Sequence, residues 1–266
     1  MALTTDDIRG AAEKLHQAEK TRRQIRQLSL QHPGITIADA YAIQKAWIEI
    51  KLAEGRIVRG HKIGLTSKAM QSALGIDEPD SGVLLDDMFF ADGGLVPSDR
   101  FIGTRVEAEL AFIMKQRLSG PNCTMFDVLN ATDFVVPALE ILDTRIERVD
   151  PVTKSTRKIF DTIADNAANA GIVLGGRPLR PLDADLRWIG ALCHRNGQLE
   201  ETGLAAGVLN HPATGVAWLA NKIAPLALEP GQVVLAGSFI RPIETRKGDT
   251  IQADYGPYGT VSCYFA

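Results

Sequence analysis

Two glutamates stand one residue apart in an apolar run, Val106-Glu107-Ala108-Glu109-Leu110-Ala111-Phe112. A third, Glu140, interrupts another, Val135-Val136-Pro137-Ala138-Leu139-Glu140-Ile141-Leu142. A strand repeats every two residues, so Glu107 and Glu109 point to one face. Burying a carboxylate without a partner is costly, and two side by side also repel. Something positive must compensate. Carboxylates converging from two strands suit a hard divalent cation, Mg2+ or Mn2+, with coordination positions left for water and substrate. The structural alternative is a salt-bridged core, with Arg105 as the obvious partner, because its odd position puts it on the face of both glutamates.

Lys62, in Gly60-His61-Lys62-Ile63-Gly64-Leu65-Thr66, is the next candidate. A lysine at a strand start is ordinarily solvated. Here a dication would leave the three carboxylates about one negative charge in excess, which a nearby ammonium would neutralise. Such a lysine can also exchange protons when burial shifts its pKa. His61, its neighbour, would face the other way and reads as structural. Asp80, in Glu78-Pro79-Asp80-Ser81-Gly82, is good turn chemistry by itself, and beside a metal and a lysine it is a candidate general base. Gly237-Ser238-Phe239 follows an apolar strand, so its amides and the Ser238 hydroxyl could meet an anionic ligand or simply turn the chain. Asp165, Asn166 and Asn169 sit among small residues and read as cross-links between backbone segments.

The elements that must position these residues change character along the chain. Thr4 with Asp7 and Thr36 with Asp39 are capping boxes with aspartate in the acidic position. Apolar residues at helical spacing run from Ile8 to Leu28 and stop at His32-Pro33-Gly34. A second helix carries Ala40, Ile43, Trp47 and Ile50 and ends near Gly55. Strand-like segments then dominate: Ile57-Val58, 62–65, 82–85, the two glutamate runs, 171–174, 186–192, 233–236, 250–253 and 260–265. Helices are expected at 126–131, 162–170 and 212–222, the last opened by Asn210 or His211. No regular strand–helix alternation appears. The expected class is α+β, a mixed β-sheet or sandwich behind a helical N-terminal region, residues 1–58, with a β-rich catalytic domain at 59–266, the two packing as one unit.

Composition narrows the function classes. Hydrophobic residues are 45% of 266, enough for a sizeable core, and the net charge of −3 with no long basic run disfavours nucleic acid. No apolar stretch approaches a membrane span, and the polar N-terminus lacks a signal-peptide pattern. Cys123, Cys193 and Cys263 are odd in number and widely spaced, so reduced thiols in a cytoplasmic protein are expected. Phosphate-loop, His-Glu-x-x-His, nucleophile-elbow and dinucleotide-binding signatures are all absent.

Glu-x-Glu followed some thirty residues later by a third acidic residue resembles the metal triad of the fumarylacetoacetase-like superfamily. The text around it, Gly60–Ser67, Glu78–Gly82, Arg105–Glu109, Pro137–Glu140, Asp165-Asn166-Ala167 and Leu235–Ser238, resembles the hydratase/decarboxylase branch, and the likeness runs from about Gln17 to the C-terminus. The resemblance implies a mixed β-sheet rolled into a sandwich of the fumarylacetoacetase C-terminal type, with N-terminal helices packed on it. It implies Mg2+ or Mn2+ on Glu107, Glu109 and Glu140, glutamate as third ligand being the mark of this branch, and acid–base roles for Lys62 and Asp80. It implies homo-oligomers, commonly decamers, in meta-cleavage catabolism of aromatic compounds. The expected activity is addition of water to an unsaturated 2-oxo dioic acid. The alternatives are hydration of a monocarboxylic 2-oxo acid, decarboxylation of a vinylogous 2-oxo acid, and a non-catalytic partner in a hydratase–decarboxylase complex. Several arginines, Arg241 and Arg246 among them, could hold a distal substrate carboxylate.

Overall fold

Both expected capping boxes form. The Thr4 hydroxyl accepts from the Asp7 N–H while the Asp7 carboxylate accepts from the Thr4 N–H, opening α1 (Thr5–Thr21). Thr36 and Asp39 repeat the arrangement at α3 (Ile37–Ala53). The structure, a computed structural model, describes residues 2–68, 71, 72 and 76–266. The helical periodicity through Leu28 is corrected: α1 stops at Thr21, where Arg22 turns left-handed, and only a short α2 (Leu28–Gln31) follows. The reason is that Ile25 spends its backbone groups elsewhere. Its N–H donates to the Arg145 carbonyl and its carbonyl accepts from the Glu147 N–H.

Beyond Gly55 the chain builds two sheets. The larger contains β1 (Val58–Gly64), β2 (Asp80–Leu85), β3 (Phe89–Phe90), β5 (Arg105–Met114), β6 (Thr132–Leu142), β7 (Asn169–Leu174), β10 (Val233–Leu235) and β11 (Ile243–Glu244). Its order is β2-β1-β10-β5-β6-β7-β3, with β11 on β5. The β1–β10 and β3–β7 pairs are parallel and the others antiparallel. The smaller sheet joins β4 (Gly94–Val96), β8 (Gly190–Arg195), β9 (Gln198–Leu204), β12 (Thr250–Asp254) and β13 (Thr260–Phe265) in the order β4-β13-β12-β8-β9. The remaining helices are α4 (Met125–Ala131), α5 (Ile159–Ala164) and α6 (Pro212–Lys222). The α+β class with a curled mixed sheet is therefore as expected. Among the described residues no helix is long and apolar enough to cross a membrane.

Strand alternation divides the core. Val106, Ala108, Leu110, Phe112 and Met114 of β5 enter the main core, with Val216 and Leu219 of α6 and Ile251, Val261 and Phe265 of the smaller sheet. Ala111, on the other face, joins a smaller cluster with Leu84, Ala138, Ile172 and Leu235. Glu107 and Glu109 share that second face. The N-terminal helices have their own cluster, Leu15, Leu28, Ile43 and Trp47, closed by Ile146, Ile163 and Ala164 from the later chain.

Two other expectations need correction. The helix expected over 162–170 ends at Ala164, and residues 169–174 are strand β7, because Asp165 and Asn166 commit their side chains to other segments. The strand expected over 186–192 starts only at Gly190, after a single tight turn at Leu186–Trp188. Strand β9 carried no alternation because nearly all its side chains are exposed or half-exposed.

Candidate metal centre

In the β5–β6 ladder Glu107 lies directly opposite Glu140, and Glu109 is the next residue on that face. Like charges opposed across a ladder destabilise the sheet unless something neutralises them. Glu109 and Glu140 are fully buried and Glu107 is half-buried. Each of the three offers an oxygen atom, all lying within 4.8 Å of one another. Arg105 does not neutralise them: its guanidinium pairs with Glu244 at 2.7 Å.

The surrounding chain pins part of each carboxylate and leaves part free. Glu109 Oε2 accepts the Gly237 N–H at 2.9 Å, and Glu140 Oε1 accepts Asn169 Nδ2 at 2.7 Å. Among the described residues Glu109 Oε1 and Glu140 Oε2 are buried with no hydrogen-bond partner. Orphaned buried carboxylate oxygens are expensive, and an all-oxygen donor set of this size fits a hard divalent cation. Glu107, Glu109 and Glu140 would hold it. Burial, then the neighbouring Glu140, pushes Glu107 up to about 8, and the same causes raise Glu109 well above the carboxylate range.

Lys62 enters from β1. Its Nζ lies 3.4 Å from Glu140 Oε1 and donates to the Ala167 carbonyl at 3.0 Å. Burial alone would lower its pKa, but Glu140, Asp80, Glu109 and Glu107 outweigh that and hold it above its ordinary value. Asp80 opens β2, opposite Gly64 of β1. It is buried, its Oδ1 has no partner among the described residues, and burial raises its pKa against the pull of Lys62. A Cβ on Gly64 would come within 2.2 Å of Asp80 Oδ1 and 3.0 Å of Lys62 Nζ, so only glycine admits both groups here. His61, beside Lys62, is pushed down to about 4 by burial.

The Ala167 carbonyl is held by an unusual turn. Asn166, Ala167 and Ala168 all have positive φ, at 52°, 50° and 60°. Each non-glycine residue in that region costs about 1–2 kcal/mol. The turn is over-determined by its flanks. The Asn166 side-chain amide accepts from the Val83 N–H and donates to the Val83 carbonyl, and the Ala168 carbonyl accepts from the Asp143 N–H. Before the turn, Asp165 forms a fully buried ion pair with Arg145, Nε to Oδ1 at 2.5 Å. Arg145 in turn lies 5.0 Å from the Trp47 ring.

All three predicted ligands thus come together with Lys62 and Asp80. The Ser238 hydroxyl donates to the Ile240 carbonyl at 3.0 Å, so in this structure it serves the turn. Its neighbour Gly237 supplies the amide that meets Glu109. Asn169 as a partner of Glu140 was missed, although its place on β7, the strand beside β6, was the available signal. Tyr255 was also missed. It is 2% exposed, and its hydroxyl accepts from the Glu109 N–H and donates to the Ala138 carbonyl at 2.6 Å, which ties β5 to β6 at the site.

No family model matches the chain. The chain is 63% identical over 256 residues, 96% of both sequences, to the 2-oxo-hept-4-ene-1,7-dioate hydratase of Escherichia coli. It is 36% identical over 269 residues, 99% of the chain and 98% of the relative, to the 4-oxalocrotonate decarboxylase of Pseudomonas sp. strain CF600. The solved 4-oxalocrotonate decarboxylase of Pseudomonas putida G7, complexed with magnesium and adipate, superposes with a TM-score of 0.93 at 33% identity, covering 99% of each chain.

Two measurements test the site. Because Glu107 titrates near 8 without the ion, it holds a proton below that pH. The stability this proton confers on the ion-free fold is present in acid and lost as pH rises through about 8. Mg2+ must displace the proton, so calorimetric affinity should rise from about pH 6 to about 8, with protons released on binding. A flat profile without proton release would contradict the assignment. Asn169→Ala, which frees Glu140 Oε1, should weaken Mg2+ binding by about tenfold to a hundredfold; an unchanged Kd would show that Asn169 does not orient the ligand.

By its sequence relatives and its fold, the chain belongs to the hydratase/decarboxylase family of the fumarylacetoacetase-like superfamily.

Proposed function

We propose that the protein is a divalent-metal-dependent hydro-lyase that adds water to 2-oxo-hept-4-ene-1,7-dioate, giving 4-hydroxy-2-oxoheptanedioate, in catabolism of aromatic compounds. The observation that carries this reading is the convergence of Glu107, Glu109 and Glu140, with orphaned oxygens, beside Lys62 and Asp80. The 63% identity to the Escherichia coli hydratase supports the choice of reaction and substrate. We take the ion to be Mg2+, with Mn2+ as the alternative. Bound at the triad, it would supply Lewis-acid stabilisation of negative charge developing on the 2-oxo oxygen.

The remaining work falls to the chain. The 4,5 double bond must first move into conjugation with the 2-oxo group, which takes a proton from C3 and places one on C5. Water then adds at C4 and a proton returns to C3. Lys62, held as an ammonium by its carboxylate neighbours, is positioned to donate. Asp80 is the group that can both accept and return a proton. A dication and one ammonium balance three carboxylates, so a fourth is balanced only when it carries a proton, and its raised pKa brings it closer to the working pH. The odd-face cluster of Leu84, Ala138, Ile172 and Leu235 gives the site a dry wall, which strengthens these charge interactions. Ser238 we keep as a substrate-side contact, its hydroxyl turning from Ile240 to an incoming carboxylate.

We propose that the protein assembles as a homo-oligomer, a decamer. Trp188, Phe126 and Leu95 remain on the surface of the single chain, as sides of such an assembly would. We place it in the cytoplasm, where its three free thiols would stay reduced.

Glu140→Gln should weaken Mg2+ binding about a hundredfold or more and lose turnover in parallel. Lys62→Ala should keep the ion and lower kcat about a hundredfold or more. Full activity in ion-stripped enzyme, or an unchanged kcat in the lysine variant, would refute these roles. The rival decarboxylase reading follows from the 36% identity to 4-oxalocrotonate decarboxylase. Trapping of CO2 during loss of the enone absorbance separates the two: hydration consumes the chromophore with no CO2, whereas stoichiometric CO2 would overturn it.

A further inference from the structure

Three guanidinium groups gather at the open end of the β5–β6 pair, one strand step beyond the carboxylate triad. Arg105 begins β5, two residues before Glu107 and on the same face, and Leu142 lies opposite it. Arg148 Nη2 donates to the Gly103 carbonyl at 3.0 Å, just ahead of Arg105. Arg157 Nη1 donates to the Thr144 hydroxyl at 2.8 Å, just past Leu142. Both hydrogen bonds anchor their arginines to the same strand ends.

Among the described residues one carboxylate pairs directly with this group, while Asp165 and Asp161 act on Arg157 from a distance. Arg105 has Glu244. The nearby Asp143 carboxylate is already spent on the N–H groups of Ile102 and Gly103, at 3.0 and 2.8 Å. Among the described residues Arg148 and Arg157 hydrogen-bond to neutral oxygens, and the Nε atoms of Arg105 and Arg148 are buried with no partner. The charges press on one another: burial, then Arg105 and Arg157, push Arg148 down to about 10. Arg105 itself stands on the face of the triad, two residues from Glu107, and the Arg148 and Arg157 hydrogen bonds hold their guanidinium groups at the ends of the same two strands. A half-buried cluster of three guanidinium groups with one directly paired carboxylate, Glu244, retains capacity for an anion, and guanidinium forks match a carboxylate best.

We propose that Arg148 and Arg157, with Arg105 beside them, bind the distal carboxylate of a dicarboxylic 2-oxo acid whose 2-oxo end lies at Glu107, Glu109 and Glu140. The inference rests on the hydratase reading for the placement of the 2-oxo end. Residues two apart on a strand are separated by about 6.8 Å along the backbone, so the Arg105 end of the cluster stands one strand repeat from Glu107. The other arginines considered do not compete: Arg241 is 85% exposed and paired with Glu201, and Arg246 is exposed at a turn closed by Asp249.

The test is binding of two non-reacting ligands to the Mg2+-loaded full chain by calorimetry: 2-oxoheptanedioate and 2-oxoheptanoate, which differ only in the distal carboxylate. The wild-type protein should prefer the dioate. In Arg157→Gln, and separately in Arg148→Gln, that preference should fall by about tenfold to a hundredfold, the effect of losing a charged hydrogen bond. Arg157→Lys should recover part of it, and this variant keeps the test alive if a glutamine variant does not fold. A preference unchanged in all three variants, with both ligands weakened equally or not at all, overturns the proposal. The hydratase reading fails differently: a wild-type protein that prefers the dioate yet adds no water to its unsaturated form loses that reading and retains this site.

Discussion

Mutual repulsion of carboxylates across one pair of strands is the constraint around which this protein is arranged. The β5–β6 register sets Glu107 against Glu140, with Glu109 next in line, and the sheet gives them no acid-free neighbourhood in which to relax. Lys62 answers only part of that charge. The rest explains the donors aimed at the site: the Gly237 amide on Glu109 and the Asn169 amide on Glu140. It also explains why some oxygens stay unpaired in the ion-free chain. Buried acids with free lone pairs are a poor way to hold a sheet together and a good way to hold a dication. The fold accepts local instability in exchange for a place where negative charge on a substrate can be stabilised without reorganisation.

That instability is confined by the rigid material around it. The left-handed turn at Asn166–Ala168 presents one carbonyl to Lys62 and is clamped on Val83 by Asn166, with Asp143 bonding its last carbonyl. Immediately upstream, the Asp165–Arg145 pair is fully buried, and Arg145 sits over Trp47 of α3. The N-terminal helices therefore connect to the carboxylate site through a chain of three links: Trp47 to Arg145, Arg145 to Asp165, and Asp165 through the turn to Lys62. Their separate hydrophobic cluster includes Ile163 and Ala164, just before Asp165. Helical packing and lysine placement are thus parts of one mechanical unit, linked through a segment about a hundred residues further along the chain.

The charge pattern continues outward. The acids sit deep, the lysine beside them, and the arginines at the strand ends, so the sign of the side-chain charge changes towards the start of β5. Such a gradient orients a molecule that carries an electron-rich centre at one end and a carboxylate at the other. Arg105 belongs to this outer ring. Its position on the glutamate face made it a plausible neutraliser of the triad, but in the folded chain Glu244 of β11 takes it.

How much of this was legible follows from whether each residue's partner is near or far in the chain. Glu107 and Glu109 could be assigned to one face because a strand has period two, and Thr4-Asp7 and Thr36-Asp39 could be read as helix starts because a capping box closes within four residues. The start of α6 at Pro212 was an equally local signal, Glu140, Lys62 and Asp80 were candidates from their own surroundings, and the motif resemblance added the roles expected of them. What could not be read was set by pairing across distance. Asn169 meets Glu140 only because β7 lies beside β6. Tyr255 reaches Glu109 from the far end of the chain. The helix expected over 162–170 gave way to a turn and a strand because Asp165 and Asn166 found partners twenty and more than eighty residues away. The sequence by itself determined which groups carry charge and which face of a strand they share. Only the tertiary structure decided which charges are neutralised and which are left to a ligand, because neutralisation depends on distance in space, and sheet pairing sets that distance.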